Sequence, residues 1–383
     1  MAGCRPLDGI VVVELGHSVA APYAGLILAD LGARVIKVEN PAGGDHARGW
    51  GPPFWNGTAT AFHCLNRGKE SLAVDLSDAR QAAALRRLIV GADAVIQNLR
   101  AGVLGRHGLD YESLQEEAPS LIWVDIGAFG ESGPLAAKPG YDPLMQALTG
   151  IMSVTGEQAR DPVRVGVSMV DLGSGMWAVI GLLSRLLARA HGGDGGRVAT
   201  SLFETGLAWM TIPLAGYAAT GDVRRPYGSG VGEIVPYQAF PTTDGLLMIA
   251  AGNDGLFRKF LAVLGLEALA AEPAFATNAA RVVNRERLLP LLSDKTAIWS
   301  REHLAAALDQ AGVPNAPIQA VDQVLQHPQT AAVGMVKPSE PGALPMAGIP
   351  VTFDSVRPRA LGHAPALGEH NALLDPQPVK AAS

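Results

Sequence analysis

From Ile10 onward, short runs of β-branched residues alternate with longer segments of helical period, and no other feature of the chain constrains its fold so strongly. Such alternation predicts parallel strands joined by helical crossovers. Strands are read at Ile10 to Leu15, Arg34 to Glu39, Leu72 to Leu76, Ala94 to Asn98 and Leu121 to Ile126, with Val198 to Leu202 returning to the sheet. Helices are read at Ala20 to Leu31, at Ala79 to Val90 with Arg86 and Arg87 on the wet face, after Asp142, after Asp171, and from Glu204 to Ala219. A glycine-marked loop, Gly127 to Gly140, interrupts the series. Near Gly221 the character changes. The segment to Gly232 reads as a linker or flap, and Tyr237 to Phe240 and Leu246 to Ala251 flank Thr243-Asp244-Gly245 as a hairpin would. Helices at Leu256 to Leu264 and around Arg285 to Trp299 follow, then a Pro/Gly-rich stretch after Lys337. The prediction is an α/β chain: a large Rossmann-like domain with a parallel sheet over residues 1–220, completed by about 330–383, and a smaller α+β domain over 221–329.

Composition narrows the function classes. The chain has 383 residues, 48% hydrophobic and 17% charged, with a net charge of −6. That is enough apolar material for a sizeable core, and it excludes a disordered chain. Without a clustered basic excess, a nucleic-acid module is excluded too. Glycine is over-represented at 45 residues against roughly 7% in an average protein, and 27 prolines show no collagen-like period. The surplus therefore marks turns, close packing or backbone approach to a ligand. Cys4 and Cys64 stand far apart without a CxxC, which leaves no disulfide framework or cysteine zinc site and fits a reducing compartment. The N-terminus lacks the pattern of a signal peptide, and the apolar segment Leu172 to Ala190 is broken by Ser184-Arg185 and Arg189, against a membrane span. A cytoplasmic protein with neither membrane nor nucleic-acid partner is expected.

Several nucleotide and hydrolase motifs are absent. The first β-α turn reads Gly16-His17-Ser18-Val19-Ala20-Ala21, not GxGxxG, so a redox or non-catalytic Rossmann-like nucleotide-binding protein would have to manage without the usual fingerprint. No P-loop, G-x-S-x-G or HExxH occurs, and the nine histidines fall at no metal spacing.

Many short segments in order resemble the class III CoA-transferase family, which includes formyl-CoA transferase and α-methylacyl-CoA racemase. They are Pro6-Leu7-Asp8-Gly9, Ala29-Asp30-Leu31-Gly32-Ala33-Arg34-Val35-Ile36-Lys37-Val38-Glu39, Gly43-Gly44-Asp45 and Asn66-Arg67-Gly68-Lys69. Asn98-Leu99-Arg100-Ala101-Gly102-Val103, Gly127-Ala128-Phe129-Gly130, Gly133-Pro134, Gly312-Val313-Pro314 and Gly368-Glu369-His370 continue the match over nearly the whole chain.

The resemblance implies that Asp171, in Val167-Ser168-Met169-Val170-Asp171-Leu172-Gly173-Ser174-Gly175-Met176, is the nucleophile. A carboxylate attacks an acyl-CoA thioester to give a mixed anhydride, and the released thiolate then makes an aspartyl-CoA thioester. Water must be kept out of such a site. A helix N-terminus is expected to favour the ionised carboxylate by roughly 0.3–1 kcal/mol. The small residues Gly173, Ser174 and Gly175 are expected to let a thioester approach the backbone.

The same resemblance implies CoA contacts at His17, Asn98, Leu99, Arg106 and Lys138, with Lys69 a further candidate. Arg106 and Lys138 suit phosphates by charge. Asn40 stands where some relatives carry a basic residue. Gly228, Gly230 and Gly232 match in position a glycine flap that shields covalent intermediates. Val19, Arg48 and Trp50 fall near positions that shape the acyl pocket, and Arg48 could grip the distal carboxylate of a dicarboxylic acid.

Within the family, a racemase or epimerase is the alternative activity, and it needs a histidine where this chain has Tyr141 and a glutamate where it has Gly252-Asn253-Asp254. The segments resemble more closely the transferases that use succinyl-CoA and a dicarboxylate acceptor. The resemblance further implies acyl-CoA and a small carboxylic acid as substrates, no permanently bound cofactor, no metal, and an interlocked homodimer.

Overall fold

The predicted alternation is realised as six strands: β1 Val11–Leu15, β2 Arg34–Glu39, β3 Glu70–Ala73, β4 Ala94–Gln97, β5 Ile122–Gly127 and β6 Gly196–Ser201. In this computed structural model, which describes residues 5–375 and so leaves Cys4 outside, they form one parallel sheet in the order β3-β2-β1-β4-β5-β6. Strand order reverses between β1 and β4, the point where open sheets of this kind leave a crevice beyond the strands' carboxyl ends. Both faces are covered, which is why β1 and most of β2 are buried along their whole length. Yet those two strands carry Glu14, Lys37 and Glu39 inward, an expensive choice that demands partners.

The helices that position the site are α1 Ala20–Asp30, α2 Thr60–Asn66, α3 Ala79–Val90, α4 Asp142–Leu148, α5 Met169–Ala190 and α6 Leu202–Trp209. Sheet side chains from Val13, Ile36, Leu72 and Val95 pack with Leu85, Leu88 and Ile89 of α3 into the main core. The edge strand β3 is not left open. His370 donates its backbone N–H to Ser71 O and accepts the Ser71 N–H at Nδ1, and Asn371 Oδ1 accepts from Ala73 N. The C-terminal segment thereby saturates backbone groups that would otherwise invite edge pairing.

Some boundaries differ from the sequence reading. Helix α5 starts at Met169, which puts Asp171 in its first turn. By length and apolar composition α5 could cross a bilayer, but Val170, Gly173, Ser174, Gly175, Ala178, Val179 and Leu182 are built into the large unit as the buried stripe of a core helix. The segment read as one helix from Glu204 to Ala219 is two, α6 and α7 Thr211–Thr220, broken at Met210. Pro213 sits in the first turn of α7, where its missing N–H costs nothing.

Among the described residues, the large unit comprises 5–149, 166–209 and 328–375, and the small unit 150–165 and 210–327. Residues 150–165 and 210–220, read with the large domain, thus belong to the small one. Gly156 O, which accepts from Gly228 N at 2.9 Å, shows one reason: the segment is tied by backbone bonding to the chain beyond Gly221. The small unit contains β7 Tyr237–Thr242, β8 Gly245–Ala250 and β9 Asn315–Pro317 as an antiparallel sheet in the order β9-β8-β7, with a two-residue turn at Thr243-Asp244. Helices α8 Asp254–Leu264, α9 Arg285–Thr296 and α10 Arg301–Ala311 close its core around Phe240, Phe257, Phe260, Leu288 and Leu304.

Candidate active site

The turn after β1 and the turn after β4 are locked to each other. His17 N donates to Asn98 Oδ1 at 3.0 Å, and Asn98 Nδ2 returns a bond to His17 O at 2.9 Å. Leu99 N donates to Gln97 Oε1 at 2.7 Å, and Gln97 in turn donates to Asp125 on β5. His17, Asn98 and Leu99 therefore sit together at the strand-order reversal. Burial lowers the His17 pKa, only partly opposed by Asp45, so its ring is neutral at pH 7 and serves as a hydrogen-bonding group. Val19 ends this turn at the N-cap of α1.

Beneath the turn lies a network of buried charges. Lys37 Nζ contacts Glu14 Oε1 at 2.9 Å, Asp45 Oδ2 at 2.8 Å and Gly16 O at 2.8 Å. Asp45 Oδ1 accepts from Ser18 N and Ala47 N, both at 2.9 Å. Burial alone would lower the Lys37 pKa, but Glu14, Asp45 and Glu39 outweigh it and hold the amine above its ordinary value. The turn carrying His17 is thus fastened to the sheet by a fully buried lysine.

This network corrects two assignments. Lys69 is not available to a phosphate: its amine is buried and donates to Glu14 Oε2 at 2.7 Å, Pro22 O at 2.8 Å and Asn66 Oδ1 at 2.9 Å. Burial, with Lys37 nearby and despite Glu14, brings its pKa down to about 8. Arg48 is likewise occupied. It grips both oxygens of Glu39 at 2.8 Å, donates to Pro365 O at 3.1 Å and stacks 3.8 Å above the Phe62 ring. An arginine so engaged supports the loop and offers no fork to a substrate carboxylate. Trp50, two residues on, is 44% exposed.

Arg106 and Lys138 remain open. Arg106 lies in a single helical turn, Gly105–His107, beyond β4, and Lys138 in the loop beyond β5. Both are exposed, and neither makes an ion pair among the described residues. Two uncommitted cations beyond carboxyl ends of strands suit the phosphates of a large anionic ligand.

Asp171 is half-buried in the first turn of α5. Gly175 is one turn further on the same face, and a Cβ there would lie 2.7 Å from Ala20 O of α1. Asp171 therefore belongs to the face of α5 turned to the helix that follows His17 and Val19. This contact also corrects the role given to the small residues. A Cβ on Gly173 would meet Thr205 and Trp209 of α6 at 2.9 and 2.8 Å, and Ser174 Oγ bonds Thr205 Oγ1 at 2.8 Å. Gly173, Ser174 and Gly175 are small so that three helices can close on one another, not so that a ligand can reach the backbone.

The electrostatics of Asp171 also differ from the expectation. Burial first, and then the charge of Asp142, push its carboxyl from 3.8 up to about 7. The helix N-terminus is outweighed. Asp142, not singled out in the sequence, begins α4 and is 2% exposed; its Oδ2 accepts from Val170 N at 2.7 Å and from Asp171 N at 3.2 Å. Its neighbour Tyr141, at the racemase histidine position, is 60% exposed.

In the small unit, Gly228, Gly230 and Gly232 lie in a tied turn. Arg285 donates to Val231 O and Gly232 O at 3.1 and 2.7 Å and stacks on Tyr227. Gly228 has φ +62°, and a Cβ there would come within 2.8 Å of Glu157. Among the described residues no group of three or more His, Cys, Asp or Glu could hold a metal ion.

Fold and site together define an α/β protein with a half-buried, hard-to-ionise carboxyl on a helix packed against the one that follows the first strand. The sequence model of CoA-transferase family III matches residues 7–371. A succinate–glutarate CoA-transferase of Agrobacterium fabrum (strain C58) is 37% identical over 378 residues, spanning 96% of this chain and 94% of that protein. An acetyl-CoA:oxalate CoA-transferase of Acetobacter aceti is 36% identical, with 96% and 95% covered. The crystal structure of a CAIB/BAIF family protein from Brucella suis superposes with a TM-score of 0.87 at 41% identity, covering 96% of this chain and 98% of that one. The chain belongs to CoA-transferase family III. It is a transferase that moves CoA between an acyl-CoA and a carboxylic acid.

Proposed function

We propose that the chain takes CoA from succinyl-CoA and gives it to a dicarboxylic acid such as glutarate, through covalent intermediates on Asp171. The observation that carries this reading is the setting of Asp171: a half-buried carboxylate at a helix start, on the face turned to α1, with its carboxyl raised to about 7. When ionised, a carboxylate of that basicity is a better nucleophile than a solvated one. The names of the relatives from Agrobacterium fabrum and Mus musculus, which pair succinate or succinyl-CoA with glutarate, support the choice of donor and acceptor.

The chemistry balances without oxidant or nucleotide. The Asp171 carboxylate adds to the thioester carbonyl, a C–O bond forms, the C–S bond breaks and CoA leaves as thiolate. That thiolate attacks the aspartyl carbon of the anhydride and releases succinate. The acceptor carboxylate then attacks the aspartyl thioester, and the returning thiolate takes the acceptor acyl group and restores Asp171. Arg106 and Lys138 would meet the CoA phosphates, and His17, Asn98 and Leu99 would line the approach from the strand-order reversal.

The test is to incubate the protein with succinyl-CoA and glutarate and trap with hydroxylamine. A hydroxamate on the peptide carrying Asp171, and loss of transfer in Asp171→Ala, are expected. Transfer that survives Asp171→Ala overturns the reading, and solvent deuterium entering the α-position of a 2-methylacyl-CoA would replace it with racemase chemistry.

A homodimer is part of this proposal. Helix α5 exposes Met176, Trp177, Ile180 and Leu187 opposite its buried stripe, with 62% of Leu187 accessible. Apolar side chains clustered this way favour a second copy over water. Light scattering should give a dimer mass, and Trp177→Glu with Ile180→Glu should lower it to that of one chain. An unchanged mass for the variant would remove this face from the interface.

A further inference from the structure

We propose that Asp142 is the positioning residue of the nucleophile, holding the peptide of Asp171 in place while its negative charge governs the reactivity of the neighbouring carboxylate. The proposal rests on the reading of Asp171 as nucleophile. The first turn of a helix has N–H groups without intrahelical partners. The N-cap of α5, Ser168, makes no side-chain bond to them. Asp142 does so from another helix, through Oδ2 to Val170 N and Asp171 N, while its Oδ1 accepts from Gln146 Nε2 at 2.6 Å.

A structural cap would not need this residue type. Asparagine caps about as well as aspartate, without the cost of burying a charge. Asp142 is buried and makes no ion pair among the described residues; only N–H donors meet its two oxygens. The benefit falls on Asp171, whose carboxyl is raised by burial and by Asp142. Other acids on the packed elements are committed elsewhere. Asp30 of α1 is held by Arg67, Glu204 of α6 by Ser201, and Asp125 of β5 by Arg197. Among the described residues, Asp142 is thus the one charge acting on Asp171.

The experiment compares wild type, Asp142→Asn, Asp142→Ala and Asp171→Ala in succinyl-CoA to glutarate transfer across pH 5 to 9. Asp142→Asn keeps an oxygen for the two N–H groups, so it should fold normally, yet the midpoint of its kcat profile should fall by about one unit. Asp142→Ala loses the acceptor as well, so kcat should drop tenfold or more while KM for succinyl-CoA stays within twofold. An Asp142→Asn profile indistinguishable from wild type, beside an inactive Asp171→Ala, overturns this proposal alone. Activity in Asp171→Ala overturns the nucleophile reading and this proposal with it.

Discussion

Two clusters of buried carboxylates in the large unit are built on opposite principles. In the network under the first β-α turn, Glu14 lies between Lys37 and Lys69, Asp45 faces Lys37, and Glu39 faces Arg48. Burial would raise the pKa values of Asp45 and Glu39, but the cations and the N–H donors around them win, and both carboxyls lie below their ordinary values. At the start of α5, Asp171 faces Asp142, with no cation among the described residues acting on it, and its carboxyl goes up. The first cluster makes rigidity from matched charges. The second leaves a carboxyl that is hard to ionise by withholding the match.

The largest effect should come from breaking the matched cluster. Lys37→Met removes the amine but keeps the volume, leaving Glu14 and Asp45 buried without it, and should cost about 3–5 kcal/mol. Urea denaturation measures this, and a loss below about 1 kcal/mol would mean that water enters the network. A smaller effect of opposite sign is expected at the unmatched cluster. Because the Asp171 midpoint is raised from 3.8 to about 7 on folding, its share of stability is complete below the lower value and is lost as pH rises through the upper one. Asp171→Asn mimics the protonated group, so at pH 8 it should be more stable than wild type by roughly 2 kcal/mol after discounting for partial exposure. The gap should close toward pH 4; an equal gap at both pH values would contradict the raised carboxyl. The smallest effect belongs to Ser71→Ala, which removes one donor to Glu39 and one acceptor for Gly368 N while Arg48 keeps its grip. About 1 kcal/mol is expected, and a loss as large as that of Lys37→Met would show that the C-terminal segment supports the whole network.

The contrast also explains what could be read in advance. The place of Asp171 at a helix start was legible because it begins a long apolar helix inside a recognisable run of residues. That His17, Asn98 and Leu99 fall just beyond strand ends was legible because periodicity locates those strands. Lys69 and Arg48 were misread because an isolated cation in a sequence carries no sign of whether its partner is a ligand or a buried acid elsewhere in the chain. Glu14 and Lys37 did leave a signal, since charges inside otherwise apolar strands must be paired somewhere. Asp142 left almost none: an Asp before Pro143 reads as an ordinary helix start, and only packing brings it to the N–H groups of Val170 and Asp171.

By itself the sequence determined the order of elements, the parallel sheet and the family, because hydrophobic period and turn residues act over a few positions and are written locally. Tertiary structure alone decided which glycines separate helices rather than admit a ligand, which cations are consumed by the fold, and whether Asp171 is stabilised or strained as an anion. Those outcomes depend on burial and on charges brought together from distant parts of the chain, and Coulomb interactions at 3 to 5 Å are set by where side chains end up, not by where they stand in sequence.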